Sequence, residues 1–113
     1  MNVTIYHNPR CGKSRDTLAL LEKNGIKPHI VEYLKTPPDK ATLKRLLKLL
    51  GKTPRELLRA KEAKEAGLDK PGLADDDIFA GMIEHPIVIE RPIVVHGGRA
   101  ALGRPPEAVL KIL

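Results

Sequence analysis

The chain has 113 residues, of which 42% are apolar and only three are aromatic, and its net charge is +6. This length suits one domain that buries roughly two-thirds of its unfolded surface in a core of Leu, Ile and Val, and no run of about 18 apolar residues is present to span a membrane. The positive charge does not predict nucleic-acid binding, for two reasons. Aromatic side chains for base stacking are scarce, and the lysines of the helix predicted over residues 39–50 fall on its solvated face.

The first predicted elements surround a single cysteine. A short strand, Val3 to Tyr6, is followed by the stretch HNPRCGKSR and then by a helix that Gly25 ends. Pro28 to Tyr33 has the pattern of a second strand. Cys11 is therefore expected at or near the N-terminus of the first helix, where backbone N–H groups and the helix dipole stabilise a thiolate.

Cys11 is either an inert small side chain or a reactive nucleophile, because no second cysteine exists to form a disulfide or a thiolate chelate. Arg10, Lys13 and Arg15 add positive charge, which favours a reactive thiol with a lowered pKa over a thiol in an apolar pocket. The hydroxyl of Ser14 can donate a hydrogen bond to the sulfur. A lone cysteine also fits a reducing compartment, so we expect a cytoplasmic protein.

Three motifs that would give this loop a different role are incomplete. A phosphate-binding loop ending in the GKS of residues 12–14 needs its first glycine at the position of His7. A phosphatase loop of the phosphotyrosine type needs an arginine at the position of Thr17, and a Cys-x-x-Cys redox motif needs a cysteine at Ser14. What remains is a one-thiol site suited to anions.

Helices dominate the middle of the chain. Asp39 to Leu50 is predicted helical and ends at Gly51. Thr53 to Glu56 forms a capping box, with Pro54 at the first helical position, that opens a short helix carrying Leu57, Leu58 and Arg59. Lys61 to Lys70 is charged, and its sequence does not decide whether it is helical. Asp75 is expected to cap a further helix, which His85-Pro86 ends. The expected inner face of that helix carries Ile78, Phe79, Met82 and Ile83.

The last third returns to strands. Ile87 to Ile89 and Ile93 to Val95 are predicted as short strands, followed by a turn at residues 96–98, a strand ending near Leu102 and a final helix starting at Arg104-Pro105-Pro106. The order β-α-β, helices, β-β-α is the thioredoxin-like α/β arrangement, with a central mixed four-stranded sheet flanked by helices. We therefore predict one domain over residues 1–113, with a helical insertion at about 39–85.

The histidines and Asn8 have simpler roles. His7 either tunes the cysteine electrostatically, if protonated, or packs against the loop. Asn8 is expected to shape the turn through side-chain bonds to backbone groups of the Cys11 loop. His29, His85 and His96 lack ligand spacing, so we expect no metal and no bound cofactor.

Four segments give the chain a specific resemblance. YHNPRCGKSR, LLR at 57–59, HPIVIERPIVV at 85–95 and GRPPE at 103–107 stand in the order found in the glutaredoxin-coupled arsenate reductases, which this chain resembles over nearly its whole length. The resemblance implies that Cys11 attacks arsenate and that Arg59, Arg91 and Arg104 hold the oxyanion. In thioredoxin-like folds the residue before this proline lies at the edge of a strand that faces the thiol, and its peptide bond to the proline is typically cis. We therefore predict a cis Arg91-Pro92 bond.

The absence of a second thiol predicts an external electron donor. The resemblance identifies glutathione as co-substrate and glutaredoxin as partner, with a monomeric protein serving arsenic detoxification. Two of these arginines could also have a structural role and no function. Arg59 can complement a helix dipole, and Arg104 can be a helix-start residue.

Two other functions stay open. One is a regulator of this fold that binds RNA polymerase, although such relatives usually carry a Cys-x-x-Cys switch that Ser14 rules out here. The other is a thiol transferase without arsenate activity, whose disulfide exchange at Cys11 would be insensitive to substitution of Arg91 and Arg104.

Overall fold

The structure is a computed structural model that describes residues 2–113. Its contacts divide the chain into two compact units: a first unit made of the residues up to Thr36 together with Arg91–Leu113, and a second unit made of Pro37–Glu90. The insertion predicted at about 39–85 falls within the second unit. That the two units form one domain stays a prediction.

The first unit is built on a four-stranded mixed sheet. Its strands are β1 (Val3–His7), β2 (His29–Glu32), β3 (Ile93–His96) and β4 (Arg99–Leu102). They lie in the order β2-β1-β3-β4, with β1 parallel to β2 and antiparallel to β3, and β3 antiparallel to β4. The helix α1 (Gly12–Lys23) joins β1 to β2, and a 3-10 helix (Pro106–Ile112) follows β4. The predicted thioredoxin-like α/β class is confirmed.

The core of the first unit follows from strand alternation. Val3 and Ile5 are buried on β1, whereas Thr4 and Tyr6 are only half-buried, as a period of two requires. They pack with Val94 of β3, Leu21 of α1 and Val109 of the 3-10 helix. This packing fixes α1 against the end of β1, and so it fixes the loop that carries Cys11.

The second unit is helical. It contains α2 (Lys40–Leu50), α3 (Ala60–Glu65) and α4 (Asp75–Glu84), with 3-10 turns at Arg55–Leu57 and Pro86–Val88. The carboxylate of Asp39 caps α2 by accepting the N–H of Thr42 at 2.8 Å. Gly51 ends α2 with φ +67°, a conformation that glycine adopts most readily. None of the described helices is long and apolar enough to cross a membrane.

Two segments of the second unit were predicted wrongly. Residues 87–89 do not form a strand, because Pro86 begins a 3-10 turn in which the N–H of Ile89 bonds to the carbonyl of Pro86. The short helix predicted to carry Leu57, Leu58 and Arg59 is a 3-10 turn that ends at Leu57, and Leu58 and Arg59 are extended. An isolated antiparallel bridge pairs Leu58 with Ile89.

The ends of two other helices differ in detail. Asp75 is the first residue of α4 rather than its cap, and the carboxylate of Asp77 accepts the N–H of Ala74 at 2.9 Å. Ile83 lies outside the core at 37% exposure. The final helix is a 3-10 helix that begins at Pro106.

Candidate active site

Cys11 occupies the N-cap position of α1, as the sequence predicts. Its backbone is extended, with φ −92° and ψ 123°, and its side chain makes no capping bond. The N–H of Cys11 donates to the carbonyl of Asn8 at 3.0 Å, and the carbonyl of Cys11 accepts the N–H of Arg15 at 3.0 Å. The thiol is half-buried. This tight turn therefore places the sulfur at the N-terminus of α1, which is the positive end of the dipole of this 12-residue helix.

The surroundings of Cys11 lower its pKa. Burial acts in the opposite direction and raises the pKa, but hydrogen bonds from the backbone N–H of Ser14, the side chain of Arg91 and the backbone N–H of Lys13, with the charge of Arg91, outweigh it. All of these groups stabilise the thiolate and not the thiol. The site therefore favours the nucleophilic form of the cysteine.

Arg91 is the buried cation of the site. Its side chain is only 6% exposed, and its hydrogen bonding and its positive charge lower the pKa of the Cys11 thiol. The Arg91-Pro92 bond is cis, so that prediction is confirmed. Pro92 is buried, and its carbonyl accepts the N–H of Gly103 at 2.9 Å.

Arg104 adjoins Arg91. Its side chain is exposed, and Nη1 donates to the carbonyl of Arg91 at 3.2 Å. The Arg104-Pro105 bond is also cis, which the sequence did not lead us to expect. The first unit thus brings Cys11, Arg91 and Arg104 into one chain of contacts.

His7, Asn8 and Ser14 form a buried network beneath the loop. The Ser14 hydroxyl lies 2.7 Å from Nδ1 of His7 and accepts the N–H of Asn8 at 3.0 Å. The hydroxyl is thus engaged within this network, and it is the backbone N–H of Ser14 that bonds to the sulfur. The side chain of Asn8 accepts the N–H of Arg10 at 3.0 Å, which confirms its predicted role in the turn.

The electrostatic role considered for His7 requires a protonated ring. Burial lowers the pKa of His7; the charge of Glu32 acts against this and that of Arg15 adds to it. The ring is only 6% exposed and is bonded to Ser14. Of the two roles left open by the sequence, the structure favours packing of a neutral ring against the loop.

Arg59 belongs to the second unit. It is the N-cap residue of α3, so the idea that it complements the C-terminus of a short helix is wrong. Its guanidinium contacts the carboxylates of Glu62 and Glu90 at 3.2 and 3.3 Å. Convergence of Arg59 with the other two arginines on one anion stays a prediction.

A cleft of about 550 Å³ opens beside the Cys11 loop. It is lined by Asn8, Pro9, Arg10, Glu32, Leu34 and Lys35. The sequence did not predict the cleft wall formed by Glu32, Leu34 and Lys35, since these residues lie at and just after the end of β2 and carry no motif. It also missed Glu62 and Glu90, although the three-residue spacing between Arg59 and Glu62 on a helix indicates an ion pair.

Comparison with known proteins gives a consistent picture. The model of the ArsC family matches residues 6–112. An arsenate reductase of Rhizobium meliloti (strain 1021) is 48% identical over the whole chain and 82% of the relative, and the uncharacterized protein YfgD of Escherichia coli K12 is 53% identical over 98% of the chain and 96% of the relative. The solved structure of an arsenate reductase from Vibrio cholerae is 54% identical, with a TM-score of 0.95, covering 100% of this chain and 98% of that one.

Proposed function

The chain belongs to the ArsC family, and on that basis we propose that it is an arsenate reductase with Cys11 as its nucleophile. The observation that carries the proposal is the environment of the thiol. A half-buried cysteine with a lowered pKa lies at a helix N-terminus, within hydrogen-bond reach of a buried arginine. Such a site activates a thiolate and attracts a tetrahedral oxyanion in the same place.

The first step joins sulfur to arsenic. The Cys11 thiolate attacks the arsenic of H₂AsO₄⁻, an As–O bond breaks, and water leaves, so that a Cys11-S-AsO₃²⁻ adduct remains. Charge grows on the arsenate oxygens as the bond forms, and the guanidinium groups of Arg91 and Arg104 stabilise it. Arg59 is proposed as the third arginine of this set.

The second step needs another thiol, because Cys11 is the only cysteine in the chain. Glutathione attacks the Cys11 sulfur, a disulfide forms, and the electron pair of the S–As bond passes to arsenic. The proton of the glutathione thiol and two protons from solvent pass to the arsenite oxygens, and arsenic leaves as arsenous acid. Arsenic has then been reduced by two electrons, and two thiols have been oxidised to a disulfide. Glutaredoxin then reduces the mixed disulfide and restores the Cys11 thiol for arsenic detoxification.

NADPH oxidation in a coupled assay with glutathione, glutathione reductase and a glutaredoxin tests this proposal. Arsenate-dependent oxidation is expected from the native chain and is expected to be lost in Cys11→Ser. Arg104→Ala should lower kcat/KM for arsenate, whereas Arg99→Ala, which removes an exposed arginine on β4, should not. Oxidation that is the same with and without arsenate would contradict the proposal and favour a thiol transferase.

Phosphate offers an independent test, since it is a tetrahedral anion that the thiolate does not reduce. We expect phosphate to slow alkylation of Cys11 and to compete with arsenate in the coupled assay. Alkylation that is unaffected at high phosphate concentration would mean that no oxyanion binds beside the thiol.

A further inference from the structure

The cleft beside the Cys11 loop lies at one edge of the sheet of the first unit. His7 of β1 and Glu32 of β2 are paired in the parallel register, so the segments that follow the two strands leave the sheet side by side. The cleft is lined by residues at and just after the ends of these strands: Asn8, Pro9, Arg10, Glu32, Leu34 and Lys35. In open α/β sheets, the space beyond the carboxyl ends of the strands is where ligands bind.

Hydrogen bonds fix the backbone on both sides of the cleft. Asn8 is buried, and its Oδ1 accepts the N–H of Arg10 at 3.0 Å. On the other side, the N–H of Lys35 donates to the carbonyl of Glu32 at 2.9 Å. The fold therefore sets the positions from which the charged side chains of the cleft extend.

The cleft carries two positive side chains and one negative side chain. Arg10 is exposed. Nζ of Lys35 lies 3.7 Å from Oε1 of Glu32, and these side chains are 79% and 42% exposed. An ion pair so exposed is weak, so a ligand can replace either partner at little cost. The charge of Glu32 also raises the pKa of His7, but burial outweighs this effect, and a neutral His7 does not neutralise the carboxylate.

We propose that this cleft binds glutathione, the co-substrate in the proposed function on which this inference rests. Glutathione carries two carboxylates and one ammonium group at neutral pH, which is the complement of the charges in the cleft. The γ-glutamyl ammonium and α-carboxylate share one carbon atom, and they match the pair of Glu32 and Lys35. Arg10 binds the glycyl carboxylate, so its role concerns a charged ligand and not the ionisation of the thiol.

The position of the cleft suits the reaction. Arg10 directly precedes Cys11, and the N–H of Cys11 donates to the carbonyl of Asn8 at 3.0 Å, so the cleft and the thiol share one turn. The cysteine of glutathione lies between its γ-glutamyl and glycyl residues, and binding of both ends in the cleft keeps its thiol near this turn. The volume of about 550 Å³ is within the range of small-molecule sites.

The test is an NMR titration of the isotope-labelled full chain with S-methylglutathione, whose thioether cannot exchange with Cys11. We expect the amide signals of Arg10 and Lys35 to shift. Lys35→Gln should weaken binding about threefold. Lys27→Gln, which replaces an exposed lysine ahead of β2, should change the affinity less than about 1.5-fold.

Glu32→Gln separates recognition of the ammonium group from general electrostatics. S-methylglutathione has a net negative charge, so loss of a nearby carboxylate would tighten binding if only net charge mattered. We expect binding about threefold weaker instead, and no weakening for N-acetyl-S-methylglutathione, which lacks the ammonium group. Glu22→Gln, which replaces an exposed carboxylate on α1, should change neither affinity more than about 1.5-fold.

The inference would be overturned if S-methylglutathione did not bind, or if Lys35→Gln left its affinity unchanged. Unchanged or tighter binding in Glu32→Gln would also overturn it, as would equal weakening of the two ligands. The coupled assay tests the proposed function separately. Arsenate-dependent oxidation without binding in the cleft would keep the reductase and remove this site, whereas the expected binding without arsenate-dependent oxidation would remove the reductase and keep the site.

Discussion

Replacing Arg91 by leucine removes a side chain whose hydrogen bond and positive charge lower the pKa of the Cys11 thiol. Arg91 is 6% exposed, so an apolar side chain of moderate size is accommodated at this position. A hydrogen bond to a charged group is worth about 1.5–3 kcal/mol, and each 1.4 kcal/mol is about tenfold in an equilibrium. The backbone N–H groups of Ser14 and Lys13 remain, so we expect the lower end: Arg91→Leu should shift the ionisation equilibrium of the thiol about tenfold toward the protonated form.

The rate of alkylation by iodoacetamide, followed from about pH 5 to about pH 10, measures this effect because only the thiolate reacts. The variant should react about tenfold more slowly than the native chain at pH values below the thiol pKa of both chains, and the two rates should converge at high pH. Arg10→Ala removes an exposed charge one residue from Cys11 and should change the neutral rate less than about twofold. An unchanged pH profile in Arg91→Leu would mean that Arg91 does not stabilise the thiolate. A variant that reacts more slowly by the same factor at every pH would also contradict this role, since such a change reports access of the reagent to the sulfur and not the pKa of the thiol.

Further predictions concern stability. Gly103→Ala should lower the free energy of unfolding in urea by about 1–3 kcal/mol, because its Cβ would lie 2.7 Å from Cγ of Pro92; Gly98→Ala, whose Cβ meets nothing within 4 Å, should not. Ser14→Ala should cost about 1–3 kcal/mol, since it leaves two buried polar partners unsatisfied, and a variant as stable as the native chain would contradict the network. The lowered thiol pKa means that the unfolded chain binds more protons between the folded pKa and the ordinary value of about 8.5. The native chain should therefore gain stability relative to Cys11→Ser as pH rises toward that value and lose the gain as pH falls through the folded pKa; a difference independent of pH would contradict the thiol environment.

The parts of the fold that the sequence predicts well are those with strong local signals. Val3 and Ile5 alternate with polar neighbours, and Gly51 marks the end of α2 through its positive φ. Residues 87–89 look equally like a strand, because β-branched residues dominate there. Their 3-10 turn depends on Pro86 and on packing of the second unit, which a local pattern does not report.

The candidate site also has parts that the sequence predicts and parts that depend on the fold. Cys11 could be predicted because a lone cysteine at a helix start can form no disulfide and lies where a thiolate is stabilised. The groups that stabilise its thiolate include backbone N–H donors, which every sequence possesses and only the turn geometry brings to the sulfur. Likewise, Glu90 is 31 residues from Arg59, and their contact follows from the pairing of two short extended segments.

The most direct test of the account is a single turnover without glutaredoxin, in which the intact mass of the chain and the arsenite released are measured together. With arsenate and glutathione present, we expect one glutathione bound through a disulfide at Cys11 and one arsenite released per chain, and neither product in Cys11→Ser. Glutathione bound to Cys11 equally well without arsenate, or arsenite released from Cys11→Ser, would contradict it.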